Sequence, residues 1–328
     1  MSMHPQPDLV STIIPVFNRP AMLREAVASV IAQTWRPIEI IIVDDGSTDG
    51  TPEAARQLQE EHPSIVRVES QRNAGPGAAR ELGRTLARGE FVQFLDSDDL
   101  LLPDKFAIQV QGLRADPRAD ISYGRTRTEE QGVMQPDPAQ RTGEVFRTLF
   151  PALLREPLWP TLTPLYRAGA LQRIGPWPRL RQLEDWVYDA QAGVLGLELH
   201  HCGDAWIAVT RNHAGPRLCS IWQSDPSAMR ERALAYERVA ALAGSAGIDA
   251  REPEMQRFAR SLFWMARTVG AQGLHAEAER LLRLALSIDT DGRRDLRAFS
   301  AATRVLGWPA TARLARWIEA LRAGEAAR

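Results

Sequence analysis

The stretch Phe91-Val92-Gln93-Phe94-Leu95-Asp96-Ser97-Asp98-Asp99 decides the reading of this chain. An apolar run with strand character stops in three carboxylates within four residues. Like charges at that spacing repel, and the end of a buried strand is a costly place to keep them. A cation is expected to meet them. A divalent metal carrying a diphosphate would supply one, because Mg2+ and Mn2+ prefer oxygen ligands and bind substrate phosphates. The competing reading is a helix start, with Asp98 or Asp99 as the cap of a helix opened by Pro103. On this segment alone both readings stand.

Working outward, residues 9–16, 38–43, 65–68 and 91–95 form short β-branched or aromatic runs that read as buried strands. Between them 20–33, 50–61 and 76–88 carry helical spacing, and a further helix over 103–115 leads to a strand near 121–123. Such alternation predicts a Rossmann-like, mostly parallel sheet with helices on both faces. Ligands bind beyond the carboxyl ends of the strands in sheets of this kind. Those ends read Pro15-Val16-Phe17-Asn18, Asp44-Asp45-Gly46-Ser47 and Asp96-Ser97-Asp98-Asp99, so polar and acidic groups collect on one edge.

Residues 124–145, polar and rich in Gly, Pro and Gln, read as an exposed loop. From 146 to about 213 the pattern is irregular, with many prolines and with Trp159, Trp177, Trp186 and Trp206 placed either to wall a cleft or to fill a core. A strand is expected over 206–210. After about 224, Ala, Arg, Leu and Glu recur at helical spacing, with helices expected over 261–268, 276–288, 294–305 and 309–321. Gly270, Gly273, Ala278, Leu282 and Ala285 have the spacing of one tetratricopeptide-type hairpin, though a small helical bundle explains them more simply. The expected domains are 1–223, with a ligand-binding part over 9–123 and a second part over 146–223, followed by a helical extension over 224–328.

The 328 residues carry 40 Lys+Arg against 41 Asp+Glu, a balance that does not point to nucleic acid. Two cysteines, Cys202 and Cys219, are too few for a disulfide framework, which suggests a reducing compartment. No run of about 18 apolar residues and no signal-like leader is found, so a cytoplasmic protein, soluble or peripheral, is expected. The turn after the first strand lacks the glycines of a dinucleotide cradle, and Gly75 and Gly77 are the only Gly-x-Gly. Walker, His-Glu-x-x-His and Gly-x-Ser-x-Gly sequences are also missing, which disfavours hydride transfer, P-loop hydrolysis and serine-esterase chemistry.

Four linked segments narrow the choice: Val10-Ser11-Thr12-Ile13-Ile14-Pro15-Val16-Phe17-Asn18, Val43-Asp44-Asp45-Gly46-Ser47-Thr48-Asp49, Asn73-Ala74-Gly75-Pro76-Gly77-Ala78-Ala79-Arg80 and Asp96-Ser97-Asp98-Asp99. In order and spacing they resemble family 2 glycosyltransferases of the GT-A fold. The likeness is close over 9–120, looser to about 220, and does not cover the C-terminal helices. It implies a metal-dependent, inverting transfer of a sugar from a nucleoside-diphosphate donor, expected by kinship to be UDP-linked, to a glycan, lipid-linked or other glycoconjugate acceptor. By the resemblance Phe17 stacks near the nucleobase beside Pro15 and Asn18, Asp45 accepts a hydrogen bond from the base, and Asp44 holds the turn. Arg80 lies where the family contacts the nucleotide. Asp96 is expected near the ribose, with Ser97 next to it. Asp98 is the expected ligand of Mg2+ or Mn2+, with Asp96 and Asp99 as further ligands or supports. Where the family commonly has Asn, this chain has Glu81.

Glu184-Asp185-Trp186 resembles the family's second acidic motif, which names Asp185 as general base and Glu184 as its support. Acids in a helix's first turn also oppose the dipole, which is the structural alternative. His213, in Arg211-Asn212-His213, is a candidate contact to the diphosphate or metal, as are Arg217 and Ser220, and a surface turn is the alternative. His200-His201 reads as structural. The last helix combines Trp308, Leu314, Trp317, Ile318 and Leu321 with Arg304, Arg313, Arg316 and Arg322. It either packs on the main domain or lies on the inner face of a membrane. Rival readings are a non-catalytic sugar- or partner-binding relative, and a nucleotidyltransferase, which would need a glycine-rich basic loop near the first strand.

Overall fold

The computed structural model describes residues 5–213, 222–290 and 292–326, with side chains as far as Thr311. Two compact units result: Met1–Ala152 with Glu156–Gly215, and Pro216–Arg328 with the short Leu153–Arg155 segment.

The first unit opens with the expected alternation: β1 (Gln6–Val16), α1 (Pro20–Ile31), β2 (Ile38–Asp44), α2 (Thr51–Glu61), β3 (Val66–Ser70), α3 (Pro76–Leu86) and β4 (Gly89–Phe94). A proline in the first turn starts each of the three helices, where its missing N–H costs nothing. There follow β5 (Leu100–Leu101), α4 (Lys105–Ala115), β6 (Ala119–Glu130), β7 (Val133–Pro138), β8 (Leu165–Arg167), α5 (Ala168–Ile174), α6 (Glu184–Val194) and β9 (Glu198–Asn212). The strand order is β3-β2-β1-β4-β8-β6-β9-β5, with β7 paired to β6. The first four strands of that order are parallel, as expected. Beyond β4 the sheet is mixed: β8 runs antiparallel to both β4 and β6, while β9 is parallel to β6. Parallel neighbours need a crossover, and the irregular chain between β6 and β8 supplies no helix for one.

Period-2 alternation sends each strand's side chains to two cores. Val10, Ile14 and Phe91 pack with Leu23, Val27 and Val30 of α1 and with Phe106, Val110 and Leu113 of α4. On the other face Phe94 meets Trp177 edge-on at 4.9 Å, and Trp177 stacks on Tyr188 of α6 at 4.1 Å. Trp159, Trp177 and Trp186 are buried, so these tryptophans fill cores.

The segment 124–145, read as a loop, is largely sheet. β6 continues to Glu130 and returns as β7 through Gln131 (φ 50°) and Gly132 (φ 82°), a two-residue hairpin turn with both residues left-handed. Gln-Gly is a weaker signal than Asn-Gly, and a β7 exposed at most positions shows no alternation of burial to read.

The second unit holds α7 (Pro226–Ser245), α8 (Pro253–Ala271), α9 (His275–Ile288) and α10 (Arg294–Ala326). The sequence reading had not delimited α7. α8 and α9 form a hairpin through a turn at Gly273 (φ 86°). Trp308 packs against Gly270, where a Cβ would lie 2.3 Å from its ring. Gly307 is non-helical (φ 73°, ψ 165°) and divides α10 into two helices at a kink, matching the two expected over 294–305 and 309–321.

Candidate active site

The edge where β1, β2 and β4 end carries the expected residues, and each strand end presents them differently. β1 ends with buried Pro15, whose missing N–H points towards β4 beyond the last paired residue, Ile13↔Phe94. Phe17 follows, 44% exposed, a large aromatic left facing solvent. Asn18 is left-handed (φ 53°), and its side chain accepts from Thr48 N at 2.8 Å while its own N–H donates to Ser47 Oγ at 2.9 Å. It pins the β1 turn to the β2 turn.

At the end of β2, Asp44 accepts from Ser47 N at 3.2 Å and holds the turn, as expected. Asp45 does more than the sequence suggested. Its Oδ1 accepts from Gln71 Nε2 at 2.7 Å and Ala74 N at 2.8 Å, and its Oδ2 accepts from Gly75 N at 2.8 Å. A carboxylate has about four lone-pair sites, so one remains on Oδ2. Asp45 thus organises the turn at Ala74 and Gly75, with one acceptor position left on Oδ2. Gly75 takes φ 93° ahead of α3, a conformation that suits glycine. Gly77 lies so close to the 178–183 segment that a Cβ would sit 2.3 Å from Pro178 O.

Beyond β4 the acids separate. Asp96 forms an ion pair with Arg80 at 2.6 Å. Ser97 is buried in the turn, which Asp99 N closes on Asp96 O at 3.1 Å. Asp98 Oδ2 receives both Arg19 Nη1 and His213 Nε2, the latter at 3.0 Å. Burial pushes the Asp98 carboxyl up, but the Arg19 charge and the His213 hydrogen bond outweigh it and hold it below the usual range. Asp99 accepts from Arg211 N at 2.8 Å. Burial, and then the Asp98 and Asp96 charges, push it well above that range. Pairing of β5 with β9 delivers Arg211 and His213 to this turn, because Leu100 faces Val209 in the antiparallel ladder.

Arg80, on α3, is buried and does not face open solvent. It bridges Asp96 and Glu184, the latter at 2.7 Å, and its guanidinium lies 4.8 Å over the Trp177 ring. It thereby links the two acidic motifs. Contact between α3 and α6 brings Arg80 to Glu184. Glu184 opens α6 behind Leu183, a non-glycine in the left-handed region (φ 57°). Strain of that kind collects at functional sites. Burial pushes Glu184 up to about 7 against the pull of Arg80, with Asp185 adding to the rise. Asp185 is half-buried; burial raises it too, Arg80 opposes, and its Oδ1 accepts from Trp186 N at 2.8 Å.

Among the described residues, no group of three or more His, Cys, Asp or Glu side chains converges as a ready metal cage. The expected ligands Asp96, Asp98 and Asp99 meet different partners, with Asp98 paired to His213. Successive residues of a tight turn point in different directions, and Arg80 and Arg211 claim the other two acids. A divalent cation fits the donor chemistry at this turn, hard carboxylate oxygen beside an imidazole nitrogen. His201 Nε2 donates to Thr142 O at 3.1 Å, Nδ1 accepts from Gly203 N, and the ring packs edge-on against Tyr123, a structural role. Arg217, Ser220 and Cys219 lie outside the described residues, as do the side chains of the last helix beyond Thr311. Among the described residues, no helix is long and apolar enough to cross a membrane. Arg19 was missed; the available signal was a cation placed directly after a strand-end Asn on an acidic edge.

Comparison with known proteins bears on this geometry. Residues 11–169 match the model of glycosyl transferase family 2. An uncharacterized glycosyltransferase of Rickettsia felis is 45% identical over 102 residues, 31% of this chain and 17% of that protein. The chain thus spans well under two thirds of that relative. In structure it is similar to S. aureus TarS 1-349 in complex with UDP-GlcNAc (TM-score 0.61, 19% identity, 94% of this chain and 91% of that one). It is also similar to the mannosyltransferase PcManGT from Pyrobaculum calidifontis in complex with GDP-Man and Mn2+ (TM-score 0.56, 18% identity, 92% and 83%). The fold is GT-A. Residues 11–169, which hold all but the first residue of the four linked motifs, are thus a glycosyl transferase family 2 segment.

Proposed function

We propose that this protein transfers a sugar, with inversion, from a nucleoside-diphosphate donor, UDP-linked by preference, to a hydroxyl of a glycan or glycoconjugate acceptor. The observation that carries the proposal is Arg80, which ties Asp96 of the donor side to Glu184 of the acceptor side through one buried guanidinium. Phe17 offers a stacking face for the base, and the open site on Asp45 Oδ2 can take a base N–H. Asp98 and His213 would hold Mn2+ or Mg2+, which supplies positive charge for the departing diphosphate.

Asp185 takes the proton of the acceptor hydroxyl as that oxygen bonds to the anomeric carbon and the carbon–oxygen bond to the diphosphate breaks. Its upward shift makes it a stronger base than an ordinary carboxylate. Glu184, locked to Arg80, positions the start of α6. A cytoplasmic location belongs to the same reading, with peripheral contact to the inner membrane face where the acceptor is lipid-linked.

A calorimetric screen of UDP- and GDP-sugars with Mn2+, followed by transfer assays, tests the proposal. Asp98→Ala is expected to lose metal-dependent donor binding by tenfold or more (~). Asp185→Asn should bind the donor normally and lose transfer by about 10²–10⁴-fold. Wild-type protein that binds no donor under any condition would sink the proposal.

A further inference from the structure

Arg19 stands in the loop between β1 and α1, its backbone fixed by Arg19 N donating to Thr51 Oγ1 at 2.9 Å. Its guanidinium reaches Asp98 Oδ2, the same oxygen that His213 Nε2 contacts at 3.0 Å. Asn18, one residue earlier, is pinned to Ser47 and Thr48, so this loop is held at both ends and Arg19 reaches Asp98 from a fixed base. The side chain is 22% exposed, whereas Asp98 is 10% exposed. A cation already sits on the carboxylate that the proposed function assigns to a metal.

We infer that Arg19 is an exchange gate: it neutralises Asp98 in the empty site, repels a bare divalent ion, and moves onto the donor's phosphates when the metal arrives with the diphosphate. The inference rests on the donor-site reading above. Two positive groups cannot share one carboxylate oxygen at contact distance without strong repulsion, so metal entry requires Arg19 to leave. A guanidinium leaving that position emerges beside the ends of β1 and β4, where a diphosphate held by Asp98 would lie. Its planar fork matches phosphate oxygens. The same residue therefore opposes metal alone and favours metal with diphosphate, and loading becomes ordered towards the paired substrate.

Two binding measurements on the full chain test this, with Mn2+ followed by electron paramagnetic resonance, and UDP and GDP titrated by calorimetry at saturating Mn2+. Arg19→Gln should bind Mn2+ alone about fivefold tighter or more, since a repelling charge has gone. It should bind the nucleoside diphosphate about tenfold weaker, since a charge-assisted contact has gone. Arg19→Lys, which keeps the charge, should return Mn2+ affinity to the wild-type level; thermal melts of both variants report on folding. A structural role alone would shift both affinities the same way, and that result, or no shift in either, overturns the gate while leaving the donor site standing. Wild-type protein that binds neither diphosphate with Mn2+ defeats the donor-site reading and the gate together.

Discussion

Lys105 is the only lysine in the chain, and it is fully buried. Its Nζ donates to Thr163 O at 2.7 Å and to Gln109 Oε1 at 2.5 Å, two bonds that a neutral amine can make. Burial lowers its pKa well below 10.5, with only the nearby Cys202 opposing. Folding therefore strips a proton that the unfolded chain keeps up to about pH 10.4, and stability from this site rises with pH through that window. The gap in melting temperature between wild type and Lys105→Met is expected to widen in favour of wild type from pH 7 to pH 10. A flat or narrowing gap would show that the amine stays charged. Nothing in the local sequence marks this lysine: Pro103-Asp104-Lys105 reads as an ordinary helix start, and only the return of the chain at Thr163 buries it.

At the scale of elements, α3 is the helix that couples fold to site. Gly83 lets it approach β1 so closely that a Cβ would sit 2.3 Å from Ile13 Cγ2. Gly83→Ala should cost about 1–3 kcal/mol by overpacking, read as a lower denaturant midpoint. Gly77→Ala acts at the other end, against Pro178 O in the segment that leads to Glu184. It should reduce transfer rate more than stability, because the strain falls on the 178–183 segment that leads into α6 and not on the sheet. Parallel melts and rate measurements separate the two, and a Gly77→Ala protein with full activity would contradict this placement. Both glycines were visible in the sequence, yet their reasons were not, since each is set by a neighbour that is distant along the chain.

Over the whole molecule, order is expected to follow burial. All seven residues of β2 are buried, as are those of β1 from Val10 onward, whereas β7 is exposed at most positions. Amide exchange should be slowest in β1, β2 and β4 and early in β7. Acylation followed by mass spectrometry should modify Lys105 only when denaturant is added, and labelling of Lys105 under native conditions would refute the burial. The sequence by itself determined the four parallel strands, their three crossover helices and the gathering of acids at the strand ends, because periodicity and strand-end chemistry are local. The helical character after residue 224 was legible for the same reason, apart from α7. The tertiary structure alone decided which partner each acid meets: Arg80 to Glu184 across 104 residues, and His213 to Asp98 across 115. Those pairings depend on strand order and register, above all on β9 returning beside β5, and no period in the chain encodes that return.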